Sequence, residues 1–224
     1  MSSEREIKIA VGDEEVSGLL IAPPNARACY VVAHGAGVGM QHVFMNAVAR
    51  GLAERGIAAL RYQFLYMEQG RRRPDSPKTA HAVVRAAVEK AGELLPGLPL
   101  IAGGKSYGTR MTSEAHAESP LAGVRGLASL GFPLHAPGQP SDIRAEHLSA
   151  VNIPMLFLQG TRDDFANPDY LNPLVDRLGA RATLKLFDDA DHSFHVPAKS
   201  GRTDAEVMRE VLDALTRWVD QAIA

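Results

Sequence analysis

One cysteine, Cys29, stands in 224 residues, so no disulfide can close within the chain, and a reducing compartment is expected. Cys29 lies in an apolar run, where a small buried filler is its expected role. No apolar run approaches the roughly 20 residues of a membrane span. The charges nearly cancel, at −2 net, which excludes the strongly basic footprint of a nucleic-acid binder. The N-terminal stretch MSSEREIKIA is charged and has no apolar core, so a secretory signal is not expected there. Internal repeats, low-complexity tracts and obvious linkers are also missing. What remains is the expectation of a cytoplasmic, single-domain protein over residues 1–224, a monomer or small homo-oligomer, with no membrane or nucleic-acid partner. An apolar content of 46% supports a sizeable core.

The stretch IAGGKSYGTR, Ile101 to Arg110, carries two overlapping patterns. GGKS resembles the end of a phosphate-cradling loop, but that loop needs a glycine five residues before Gly104. Pro99 stands there, with no N–H to offer and a fixed φ. GKSYG reads instead as G-x-S-x-G, a turn that presents a nucleophilic serine between a strand and a helix. Leu98–Ala102 is apolar and strand-like, and Tyr107–Glu118 can be a helix. Gly104 and Gly108 let strand and helix approach closely while Ser106 holds a strained backbone.

Elements alternate along the rest of the chain. Glu6–Val11 and Val16–Ala22 read as a hairpin around GDEE. Strands are expected at Ala28–Ala33, Ile57–Tyr62, Gly123–Leu130, Ile153–Leu158 and Ala182–Phe187. Helices are expected at Gln41–Arg55, Thr79–Leu95, Asn167–Leu178 and Thr203–Ala224, the last opened by a Thr203–Glu206 capping box. A polar loop is expected through QGRRRPDSP. Uniformly apolar strands alternating with helices predict an α/β fold: a mostly parallel sheet with an N-terminal antiparallel hairpin and helices on both faces. Sites in such sheets gather at the carboxyl ends of the strands. At those ends stand His34 to Gly37 (HGAG), Ser106, Asp163 and Asp164 (QGTRDDF), and His192 and His195 (DDADHSFH). Serine, acid and histidine follow one another in the chain order used by α/β-hydrolases.

Over nearly its full length the sequence resembles the α/β-hydrolase fold. HGAG, RYQFLYMEQGRRRPD, GGKSYGTR, LQGTRDDF and ADHSF resemble, more narrowly, small lidless proteins related to dienelactone-hydrolase-like esterases and to hydrolase-like domains of chromatin-complex subunits. The resemblance implies Ser106 as nucleophile, His192 as general base and Asp163 as its orienting acid. Asp163 is preferred to Asp164 because G-T-R-D matches the fold's G-x-x-D turn. His192 is preferred to His195 because it occupies the D-H-S-F position; His195 is expected at the pocket rim. The oxyanion hole is expected from the backbone N–H of Tyr107 and of Ala36, with Gly37 as the alternative to Ala36.

Further expectations concern the surroundings. His34 orders the HGAG loop, and Lys105 pairs with a nearby carboxylate. Gly37, Tyr66, Arg71 and Arg72 are expected to touch substrate, the arginines as part of a basic Arg71–Arg73 cluster that either reads an acidic acyl group or is simply solvated. Tyr62, Phe64 and Tyr66 either line the acyl pocket or pack beneath the loop. Met40 and His42 either reach the mouth of the site or are ordinary first-turn residues. Gly131–Asn152 is long enough for a loop and one short helix, so no cap domain is expected. The resemblance implies a serine hydrolase of small carboxylic esters with no metal or organic cofactor. Thioester and amide cleavage use the same triad, and a hydrolase-like interaction module is the alternative of a different class.

Overall fold

The computed structural model describes residues 3–224; Met1 and Ser2, the start of the charged N-terminal stretch, lie outside the described residues. Strands β1 (Glu4–Val11) and β2 (Glu14–Ile21) form the antiparallel hairpin. Then β3 (Cys29–Ala33), α1 (Val43–Glu54), β4 (Ala58–Tyr62), the short α2 (Leu65–Glu68) and α3 (Pro77–Leu94) follow. Next come β5 (Leu100–Lys105), α4 (Tyr107–Glu118), β6 (Val124–Leu130), β7 (Met155–Gly160), α5 (Pro168–Leu178), β8 (Ala182–Phe187) and α6 (Asp204–Ala222). Among the described residues the sheet has eight strands in the order β1-β2-β4-β3-β5-β6-β7-β8. β2 is antiparallel to both its neighbours, and the strands from β4 to β8 are parallel.

Alternation along β3 explains why both faces are covered. Tyr30 and Val32 point to one face, with Val48 and Leu52 of α1 and Val211, Leu215 and Trp218 of α6. Val31 and Ala33 point to the other, with Val83, Val84 and Ala87 of α3 and Met111 and Ala115 of α4. Every residue of β3, β4, β5 and β7 is buried. The Thr203–Glu206 capping box forms as the sequence predicts. The segment between β6 and β7 holds only a 3₁₀ stretch, Ile143–Ala150, and no cap domain.

The polar stretch after β4 departs from expectation. It contains α2, and α3 starts two residues early because Ser76 caps it and Pro77 occupies its first turn. The Asp75 carboxylate, nearly buried, accepts the Tyr66 N–H at 2.9 Å and pairs with Arg71 at 2.7 Å. A one-turn helix has no periodicity to read, so its existence depends on these contacts.

Candidate active site

Ser106 sits between β5 and α4 with φ 51° and ψ −116°, a conformation an L-residue rarely holds. Close packing enforces it. A Cβ on Gly104 would stand 2.5 Å from the Ala33 carbonyl oxygen, and one on Gly108 2.5 Å from that of His34. The serine is thereby lifted clear of the sheet. Its Oγ lies 2.8 Å from His192 Nε2. His192 Nδ1 donates to Asp163 Oδ2 at 2.7 Å.

Asp163 is buried, and its charge is met on both oxygens. Oδ2 also accepts from the Gln159 amide, and Oδ1 accepts the Phe165 N–H at 2.8 Å. Asp164 beside it is exposed. The imidazole is held from several sides. The Phe165 ring lies 4.3 Å from it, centroid to centroid. Asp191 Oδ1 accepts the N–H groups of Ser193 (2.7 Å) and His195 (3.0 Å), which shapes the loop. His195 turns outward to Asp204, 2.9 Å away, at the rim.

Lys105 does not pair with a carboxylate. Its ammonium donates to the His192 carbonyl and lies over the rings of Phe44 and Phe194, at 5.9 and 5.8 Å. Burial pushes its pKa down to about 8, against the pull of Asp163 and Asp191. Its fixed place is therefore beneath the histidine loop, tying the strand before Ser106 to the backbone of His192.

Two backbone donors next to the serine and in the HGAG loop are left without a partner. The Tyr107 N–H, at the first residue of α4, and the Ala36 N–H have no acceptor among the described residues. The Gly37 N–H is already used, donating to the Tyr66 hydroxyl at 2.9 Å. His34 is fully buried: its Nδ1 donates to the Gly35 carbonyl (2.7 Å) and its Nε2 accepts the Phe64 N–H (3.1 Å). Burial lowers its pKa to about 4, as it does that of His147.

Both histidines, near 6.5 when unfolded, are held neutral in the fold. Between about pH 6.5 and about 4 the unfolded chain binds more protons, so stability falls as pH falls through that window. His34 alone accounts for up to about 3 kcal/mol. Imidazole ¹⁵N spectra recorded across this range are expected to find His34 still neutral at pH 5, where an ordinary histidine is protonated. A His34 signal titrating near 6.5 would refute the buried, accepting role.

The remaining residues named from the sequence are placed as follows. Gly37, Tyr66, Arg71 and Arg72 do not line the cavity that holds Ser106. Tyr66 is completely buried, as are Phe64 and Tyr62, and all three pack beneath the loop. Arg71 is held against Asp75 and Gln69, and Arg72 is exposed. The segment packs instead against the HGAG loop and Tyr107: the Tyr66 hydroxyl accepts the Gly37 N–H at 2.9 Å, and the Tyr107 hydroxyl donates to the Asp75 carbonyl at 3.4 Å. Met40 is buried, whereas His42 caps α1 and does reach the cavity. Phe165, against the histidine ring, and Phe194, which lines the same cavity, were not singled out from the sequence, although both lie within two residues of Asp163 or His192.

Residues 26–220 match the family described as "Alpha/beta hydrolase domain". Among solved structures, the chain resembles a dienelactone hydrolase from Anabaena variabilis, with a TM-score of 0.80, 20% identity and 98% of each chain covered. It also resembles a serine hydrolase without a lid from Xanthomonas campestris, with a TM-score of 0.75 and 21% identity over 97% of this chain and 96% of that one. At these identities the likeness is one of fold. Among curated proteins, putative phosphoribosyl transferases of two Mycobacterium tuberculosis strains are 28% identical over 200 residues, 87% of this chain but 43% of theirs. The chain thus spans less than half the length of the curated relatives it matches. With the family match covering most of its residues, on a sheet of this order and with this strand-to-helix turn, the chain belongs to the α/β-hydrolase family.

Proposed function

We propose that the protein is a serine hydrolase that cleaves carboxylic esters through an acyl-enzyme. The observation that carries this reading is the unbroken relay from Asp163 through His192 to Ser106, at 2.7 and 2.8 Å. Ser106 Oγ attacks the ester carbonyl as its proton passes to His192 Nε2. Asp163 keeps the other ring nitrogen protonated and stabilises the imidazolium that results. The carbonyl oxygen, now negative, accepts from the N–H groups of Tyr107 and Ala36. The tetrahedral adduct collapses, the C–O bond to the alcohol breaks, and His192 returns the proton to the departing oxygen. Water, deprotonated by His192, then attacks the acyl-enzyme, and the acid leaves Ser106 with its hydroxyl restored. The neutral tautomer needed at the start, with Nδ1 carrying the proton, is the one the Asp163 contact favours.

A fluorophosphonate probe tests this without a guess at the substrate. The expected result is a single covalent adduct on Ser106, located by mass spectrometry and lost in His192→Ala. An unlabelled Ser106 in folded protein would overturn the reading.

A further inference from the structure

The cavity at Ser106 is larger than a small ester needs. Its volume is about 1140 Å³, slightly above the usual range for a ligand site. It does not stop at the triad but continues as an open groove between α1 and α6. Val43, Ala47 and Arg50 line it from α1, and Ala205, Met208 and Leu212 line it from α6. Each set repeats at helical spacing, so each forms one stripe facing the groove. The stacked rings of Phe44 and Phe194, 6.0 Å apart, join the groove to the floor under His192.

Two features distinguish this groove from an ordinary seam between helices. First, apolar side chains are left in water along it. Val43 is 74% exposed and Val38 41%, and both line the cavity that holds Ser106. Second, the middle of the groove is kept wide by small residues, Ala47 and Ala205, while deeper down the helices touch. A Cβ on Gly51 would lie 2.3 Å from Leu212 Cδ1, so the floor is closed by direct packing. Charged side chains, Arg50, Glu54, Arg55 and Arg209, also line it, but Val43, Ala47, Ala205, Met208 and Leu212 make an apolar strip over a sealed floor that suits an extended, flexible apolar chain. From Val43 to Arg50 it runs about 10 Å along α1.

We infer that the substrate is an ester with an extended apolar arm, and that the α1–α6 groove binds this arm while its carbonyl lies at Ser106. The inference rests on the hydrolase reading for the position of the carbonyl. It replaces the small esters implied by the family resemblance with a longer, amphiphilic class. Ala47 and Val43 become the specificity-determining positions.

Binding can be measured apart from turnover in Ser106→Ala protein by calorimetric titration. Two homologous series serve as probes, ethyl butanoate to octanoate and butyl to octyl acetate, each below its solubility limit. In one of the two series affinity is expected to rise about two- to fourfold per added methylene; which series responds tells whether the acyl or the alcohol side enters the groove. Ala47→Phe, which blocks the trough midway, is expected to remove most of that gain. Val43→Asp, at a surface position that the core does not use, is expected to remove part of it. Affinity independent of chain length in both series, or a length dependence untouched by both variants, would overturn the inference. If length dependence holds but wild-type protein neither hydrolyses these esters nor takes the fluorophosphonate on Ser106, the groove assignment stands and the hydrolase reading falls.

Discussion

Ser106→Ala is expected to lower kcat for ester hydrolysis by about 10⁶-fold. The side chain removed is the only group in the relay that bonds to the acyl carbon. His192→Ala is expected to cost nearly as much, because Ser106 Oγ then has no acceptor for its proton at 2.8 Å. Residues that act as one unit are not additive, so the double variant should be no slower than either single variant. Steady-state rates with a chromogenic ester measure all three. Retained turnover by Ser106→Ala would end the proposed mechanism. Losses that multiply in the double variant would mean that serine and histidine act separately.

Asp163→Asn is expected to reduce kcat by about 10⁴-fold while the fold survives. The asparagine can keep the shape, but its NH₂ cannot accept the proton that His192 Nδ1 now donates at 2.7 Å. The ring is then driven to the tautomer whose Nε2 carries hydrogen and faces Ser106, where it cannot act as a base. The Gln159 amide and the Phe165 N–H, which now meet the two carboxylate oxygens, make this a buried, fully used acid. The neighbouring Asp164 is exposed and takes no part in the relay, so Asp164→Asn should remain within about twofold of the parent enzyme. Rates that fall with Asp164→Asn and not with Asp163→Asn would reassign the acid.

Local rules carried much of the architecture. Strands such as CYVVA are apolar throughout, and a strand buried on both faces has no other way to read. α4 begins and ends at Tyr107 and Glu118, where the turn at Ser106 and the break after Glu118 place it. The Thr203–Glu206 box is a reciprocal pair three residues apart, so its signal is wholly local. The helix α2 was not legible in this way. Its four residues are held by Asp75, nine positions from the N–H that it accepts, and no period of 3.6 can build up over one turn.

For the candidate site, the sequence by itself determined which residue types reach the strand ends and in what order: Ser106, Asp163 and His192, with small residues at HGAG. These follow from chain order and strand period, which are one-dimensional. Only the tertiary structure decided which donors stay free, because Gly37 is taken by Tyr66, 29 residues away, and Ala36 is not. It also gave Lys105 a carbonyl instead of a carboxylate, across 87 residues, and paired Arg71 with Asp75. The groove belongs to the same class. Its two walls come from helices 150 residues apart in sequence, and Gly51 against Leu212 sets how closely they meet. Contacts of that separation are settled by packing the whole core, which no short window of sequence contains.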